Sequence, residues 1–354
     1  MKKVLIAAGG TGGHIYPALA LADYLKQENI EVVFIGSSRR MEAQLIPEKG
    51  YRLITQDIET TQGGIWNKIN YLFTMIRTVK DTKQLLRQEQ PDVCIGFGNY
   101  ISVPLILAAH QLHIPTMISE QNSFAGKANV FLGRFADAVE LAYERSAKDF
   151  NPAKVRVLGN PQASVSAQKK ADRNLLKEYG LSDEQPVVFV MMGSLGSESV
   201  SKIIDEACDL FDDGFQILIA SGKKNDYEFQ TTNPNVIVKE YVDGAGMLMT
   251  ADLAICRAGA TTLAEIAASG VPSVLIPSPF VPNNHQYYNA LELSEHGASV
   301  LLEEKNLTPG LLADTVNDLM KDSDKRDKMR LAAKEMAKPN ACKDTADWLK
   351  EISK

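Results

Sequence analysis

The chain has 354 residues, a formal net charge of −6, and 45% hydrophobic and 23% charged residues. That length exceeds one ordinary hydrophobic core and suits two domains, the apolar fraction excludes a disordered chain, and the acidic balance argues against a nucleic-acid-binding protein, which would present a basic face. Cys94, Cys208, Cys256 and Cys342 stand far apart with no C-x-x-C pair and read as reduced thiols.

Residues 4–8 are too short an apolar run for a signal peptide. The longest apolar region, residues 101–118, is broken by Pro104, His110, Gln111, His113 and Pro115. Neither export nor a transmembrane helix is expected. Val- and Ile-rich runs at 4–8, 32–36, 92–97, 115–119 and 138–141 read as buried strands separated by helical patterns. Such alternation means a parallel sheet wound on both faces, so the first half is α/β and Rossmann-like.

After Gly159-Asn160-Pro161 the polar stretch 162–173 lacks periodicity and reads as a linker. The pattern restarts with strands at 187–191, 216–220, 236–238, 253–256, 273–276 and 299–302, a second Rossmann-like unit. The expected domains are residues 1–160 and 161–340, with 341–354 a C-terminal helix packing back on the first. Each half opens as strand, glycine turn, helix: Gly9-Gly10-Thr11-Gly12 in one and Gly193-Ser194-Leu195-Gly196 in the other. Ligands of open α/β sheets sit at the carboxyl ends of strands, so two such domains face to face would form a deep cleft lined by both turns.

Glycine turns at helix starts commonly bind phosphate. The dinucleotide fingerprint fails, because Ile15 stands where its third glycine belongs and the second strand ends Ile35-Gly36-Ser37 without a ribose-binding acid. The NTPase loop fails too, since Gly126-Lys127 is followed by Ala128 and preceded, five residues before Gly126, by Gln121. In Gly9-Gly10-Thr11-Gly12-Gly13-His14 the histidine stands at the mouth of the following helix. It either accepts a proton from a sugar hydroxyl or caps and packs the helix start; the glycine context favours the first.

With this loop the chain resembles the peptidoglycan GlcNAc transferase (MurG) family. Further motifs extend the resemblance over nearly the whole length: Gly96-Phe97-Gly98-Asn99-Tyr100, Glu120-Gln121-Asn122-Ser123-Phe124-Ala125-Gly126, Gly193-Ser194-Leu195-Gly196, Arg257-Ala258-Gly259-Ala260-Thr261-Thr262-Leu263-Ala264-Glu265, and His285-Gln286-Tyr287-Tyr288-Asn289. The resemblance implies the GT-B architecture and inverting, metal-independent transfer of GlcNAc from UDP-GlcNAc to the muramyl 4-hydroxyl of lipid I, making lipid II at the cytoplasmic face of the cell membrane. Under it His14, or a nearby group of the first domain, is the base, and Thr11, Gly12 and Gly13 of the same loop bind substrate. Asn122 corresponds to a residue near the donor and acceptor sugars, Gly193, Ser194, Ala260, Thr261 and Thr262 suit the diphosphate, and Leu263 and Ala264 are further substrate-binding positions. Glu265 corresponds to the ribose-binding glutamate at a loop-to-helix junction, Gln286 to the residue reading the donor sugar, and Val242, at a strand end, to the uracil-binding position. Taken alone, Glu265 is also an ordinary first-turn glutamate, and Asn122 and Gln286 ordinary loop amides.

His110 and His113 lack a third ligand and read as helix-end histidines, so neither a metal nor a cofactor is expected. One departure stands out: many family members carry an arginine near the diphosphate after Gly-Asn-Pro, where this chain has Gln162 and Ala163. Another cation such as Arg257 replaces it, or donor binding is weaker, or the donor differs.

Residues 65–77 mix Trp66, Tyr71, Phe73 and Ile76 with Lys68 and Arg77. The segment suits an anionic membrane surface, with Trp66 and Phe73 exposed, or a helix burying its aromatics in the core. Wall-synthesis proteins are possible further partners under the resemblance. Rival readings are a diacylglycerol glycosyltransferase of the same architecture, a UDP-GlcNAc 2-epimerase, for which no acid/base carboxylate pair is visible, and a non-catalytic partner of a transferase.

Overall fold

The computed structural model describes residues 1–56, 65–193, 197–222 and 227–354; the side chains of 65–72 lie outside that description. The chain divides into two units, Met1–Ser164 with Asn340–Lys354, and Val165–Pro339.

In the first unit β1 (Lys3–Ala7), β2 (Glu31–Gly36), β3 (Arg52–Thr55), β4 (Val93–Gly96), β5 (Thr116–Glu120), β6 (Ala138–Leu141) and β7 (Val155–Val157) alternate with α1 (Gly12–Gln27), α2 (Met41–Glu48), α3 (Ile65–Glu89), α4 (Ser102–Gln111) and α5 (Lys127–Leu132). The sheet order is β3-β2-β1-β4-β5-β6-β7, and every ladder is parallel. Leu5 lies opposite Val33 on one side and Cys94 on the other. Parallel strands need crossover helices, which cover both faces; hence residues 4–7 of β1 and all of β4 are buried and read as apolar runs.

In the second unit α6 (Gln162–Ser166), which contains the boundary, leads to α7 (Asn174–Glu178). Then follow β8 (Val187–Met191), α8 (Glu198–Ala207), β9 (Gln216–Ala220), β10 (Val236–Lys239), α9 (Gly244–Thr250), β11 (Leu253–Cys256), α10 (Ala260–Ser269), β12 (Ser273–Leu275), α11 (His285–Glu295), β13 (Ser299–Leu301), α12 (Pro309–Lys321) and α13 (Ser323–Met336). Its parallel sheet runs β10-β9-β8-β11-β12-β13, the same winding about a central first strand.

The final helix, α14 (Ala341–Ile352), belongs to the first unit. Ala346, Trp348 and Leu349 join the core formed by β1 and α1. Arg156 stacks over the Trp348 ring at 4.5 Å and forks onto Glu351 at 2.8 and 2.7 Å, joining cation–π and bidentate contacts.

The interior strands fall where the apolar runs lie. β3 and β7 were not anticipated: both sit at sheet edges, are four and three residues long, and leave residues exposed, so neither makes an apolar run. The linker likewise holds α6, too short to show a helical period.

Candidate active site

In each sheet the winding reverses between two adjacent strands, and the carboxyl ends there form the crevice of an open α/β fold. In the first unit the reversal lies between β1 and β4. The turn after β1 uses Gly10 at φ 87°, a conformation open to glycine, and Thr11, with extended backbone, caps α1. The Thr11 carbonyl accepts from His14 N–H at 3.1 Å and Ile15 N–H at 3.2 Å, placing Gly12, Gly13 and His14 in the first helical turn. His14 is half-buried, and its Nδ1 lies 3.2 Å from Oε1 of Gln121, which follows β5.

Gly98, after β4, has φ 82°; a Cβ there would lie 3.2 Å from His14 Cε1 and 3.3 Å from its Nδ1. Glycine at this position thus leaves the imidazole the space that a side chain would crowd. Glu120 organises the neighbouring loop: its carboxyl group, 2% exposed, accepts from Asn122 N and Nδ2 at 3.0 Å each and from Gly126 N and Asn129 Nδ2 at 2.9 Å each. Asn122, expected near the sugars, therefore has one amide proton engaged by this loop.

In the sequence Gln121 stands inside the Glu-Gln-Asn motif with no role of its own. Glu42 and Glu140 carried no motif signal, because an acid in a helix or strand ordinarily faces water. Glu42 instead reaches under the glycine turn, its Oε2 accepting from Gly10 N–H at 3.0 Å. Glu140, on β6, is 1% exposed, and burial pushes its carboxyl up to about 8.

In the second unit the reversal lies between β8 and β11. Gly193, at φ 85°, opens the turn after β8, whereas Ser194 lies outside the described residues. After β11, Gly259 caps α10 without a side-chain hydrogen bond, and the first intrahelical bond runs from Leu263 N–H to the Gly259 carbonyl at 3.0 Å. The amides of Ala260, Thr261 and Thr262 precede it, the arrangement that favours an anion. Thr261 Oγ1 is buried with no protein hydrogen-bond partner, while Leu263 and Ala264 are buried against the unit's interior.

Two expected positions are corrected. Glu265 stands in the second turn of α10, not at its junction with the loop, because the helix already begins at Ala260. Val242 is not at a strand end: β10 stops at Lys239, and Val242 is a buried loop residue just before Asp243, the cap of α9. Gln286, in the first turn of α11, accepts from Ser278 N–H at 2.9 Å.

Arg257 is held by Glu304 at 2.7 Å, by the Ile276 carbonyl at 3.1 Å and by Ser197 Oγ at 2.6 Å. With its guanidinium engaged by an acid, it is a poor substitute for the arginine missing after Pro161. Among the described residues no group of three His, Cys, Asp or Glu side chains could hold a metal, and no helix is long and apolar enough to cross a membrane.

A cavity of about 670 Å³ opens in the first unit between α3, α4 and α5, walled by Met75, Val79, Val103, Leu107 and Phe131 and edged by Lys80, Lys83 and Lys127. Phe73 and Ile76 on α3 are 66% and 58% exposed; the Trp66 side chain lies outside the described residues.

The glycosyltransferase family 28 N-terminal domain matches residues 4–140 and the family's C-terminal domain matches residues 187–345. A relative from Limosilactobacillus fermentum, named UDP-N-acetylglucosamine–N-acetylmuramyl-(pentapeptide) pyrophosphoryl-undecaprenol N-acetylglucosamine transferase, is 36% identical over 350 residues, 96% of this chain and 95% of that protein. One from Bacillus cereus, of the same name with the suffix 1, is 36% identical over 99% of this chain and its own whole length. The crystal structure of Acinetobacter baumannii MurG matches with a TM-score of 0.83 at 28% identity, over 99% of this chain and 100% of that one. A putative UDP-N-acetylglucosamine 2-epimerase from Listeria monocytogenes reaches 0.72 at 16% identity over 99% of this chain and 96% of its own, a likeness of fold alone. With two Rossmann-like units of the GT-B type, matched family domains in both and relatives alike from end to end, the chain belongs to the MurG family of glycosyltransferases, within glycosyltransferase family 28.

Proposed function

We propose that this chain transfers N-acetylglucosamine from UDP-N-acetylglucosamine to the muramyl 4-hydroxyl of undecaprenyl-diphosphate-linked N-acetylmuramyl-pentapeptide, with inversion and without a metal. The observation that carries the reading is the end-to-end likeness, at 36% identity, to relatives named for this transfer. Residues 1–160 hold the acceptor and residues 161–340 the donor, while 341–354 complete the first unit.

His14 accepts the proton of the attacking hydroxyl, on the acceptor side formed by Thr11, Gly12, Gly13 and Asn122. The hydroxyl oxygen attacks the anomeric carbon from the face opposite the leaving UDP, which inverts that centre. The diphosphate gathers negative charge as the bond breaks, and the free amides of Ala260, Thr261 and Thr262 at the start of α10 stabilise it together with Ser194, with Leu263 and Ala264 as further substrate-binding positions of the same helix. Glu265 binds the ribose hydroxyls, Gln286 reads the donor sugar through its amide, and the Val242 backbone meets the uracil. The cation-edged apolar cavity by α3 supports docking on an anionic membrane surface at the cytoplasmic face, where a lipid-linked acceptor is held.

The test is UDP release by the purified protein from UDP-N-acetylglucosamine in EDTA, with a lipid I analogue present or absent. Acceptor-dependent release is expected. Release or epimerisation without acceptor, or reaction with diacylglycerol in place of the lipid I analogue, overturns the named reaction.

A further inference from the structure

Behind His14 the hydrogen bonds run in one direction. Gln121, 1% exposed, places Nε2 3.0 Å from the Ser119 carbonyl and 2.7 Å from Ser119 Oγ, and turns Oε1 to His14 Nδ1 at 3.2 Å. Shape alone leaves a glutamine amide two orientations, so the assignment must come from its partners. A backbone carbonyl only accepts; the end of Gln121 facing Ser119 is therefore the nitrogen. The same carbonyl accepts from Asn129 Nδ2 at 3.0 Å, which uses its second lone pair. The Ser119 hydroxyl is hydrogen-bonded to Glu140, and a carboxyl oxygen can take its proton in either protonation state, leaving an oxygen lone pair for Gln121.

An amide oxygen likewise only accepts, so the His14 nitrogen facing Gln121 must carry hydrogen. A neutral imidazole has one N–H, which leaves the lone pair on Nε2. We propose that Gln121 is a positioning residue that holds neutral His14 as its Nδ1–H tautomer, making Nε2 the atom that takes the acceptor's proton. The proposal rests on His14 being the base, and it adds which nitrogen acts and what aims it. Gly98 lies beside the ring, where an added Cβ would stand 3.2 Å from Cε1, so glycine at this position leaves the imidazole the space that it occupies.

The test is nitrogen NMR of the full-length protein labelled with 13C,15N-histidine, above the pH at which imidazoles titrate, with the His14 ring signals assigned by through-bond correlation to the His14 backbone. A pyrrole-type Nδ1 and a pyridine-type Nε2 are expected; the reverse pattern in the unaltered protein overturns the proposal without any variant having to fold. Gln121→Met keeps the bulk and removes the acceptor. It should raise the Nε2–H population and lower kcat roughly 10- to 100-fold, with the KM for UDP-N-acetylglucosamine within about twofold. Gln121→Glu restores an acceptor and should return the Nδ1–H signal and part of kcat. An unchanged tautomer in Gln121→Met counts against the proposal. A His14→Ala protein that keeps full activity while the Nδ1–H tautomer is observed removes the base assignment and leaves the tautomer finding standing, so the two failures are distinguishable.

Discussion

The Glu42 carboxyl group bridges the Gly10 amide, at 3.0 Å from Oε2, and the Ser37 amide, at 3.1 Å from Oε1, in a fully buried position. A turn that reads in sequence as an anion site thus has one amide already occupied by a protein acid. The starts of α1 and α10 both lack a side-chain cap, so it is the engaged Gly10 amide that sets the first turn apart.

Glu42→Gln tests this tie, because the amide must point an NH2 group at one of two backbone N–H donors. Leaving a buried donor unsatisfied costs about 1–3 kcal/mol. Urea unfolding should show a loss of that size; a midpoint equal to the parent's would mean the bridge contributes nothing.

Gly98→Ala strains the site in two ways. Its φ of 82° is costly for a residue with a Cβ, by about 1–2 kcal/mol, and the new methyl would press on His14 from 3.2 Å. We expect kcat to fall at least about tenfold, a displaced base being a geometric loss, with only a modest drop in Tm. Unchanged kcat in a folded variant would show that the ring does not need this wall.

Glu140 makes stability pH-dependent. Burial raises its carboxyl from 4.5 to about 8, with Glu120 adding repulsion and the Ser119 hydrogen bond opposing both; Cys342 on α14 also faces it. Between those values the folded state binds the proton and the unfolded state does not, so the Glu140 contribution falls as pH rises from about 4.5 to about 8 and is level above. The swing is on the order of a few kcal/mol. Glu140→Gln should therefore gain stability relative to the parent as pH rises across that window; parallel Tm profiles for the two proteins would refute the buried-acid account.

Lys80 and Lys83 edge the apolar cavity by α3. A basic residue near an anionic bilayer contributes about 1 kcal/mol, so Lys80→Glu/Lys83→Glu should weaken sedimentation with anionic vesicles at least about tenfold and leave neutral vesicles unaffected. Salt should weaken the parent's binding as well. Equal binding by parent and variant would assign the cavity a role other than lipid contact.

The sheet interiors were legible because a parallel strand covered on both faces is mostly apolar, and runs such as Val4–Ile6 and Val187–Val190 announce it. Edge strands β3 and β7 escaped, since a strand with one face and one edge in water is nearly free in composition. The place of His14 at the mouth of α1 was legible because a run of glycines constrains the backbone wherever it occurs. What only the tertiary structure decided was which distant residues meet it. Gln121 stands 107 positions away from His14 and reaches it because β5 lies one strand beyond β4 in the sheet, and Glu42 turns inward to close a turn it does not belong to. Local sequence determines the backbone period and the glycine conformations; hydrogen-bond partners across a sheet depend on strand order, which is a property of the whole chain.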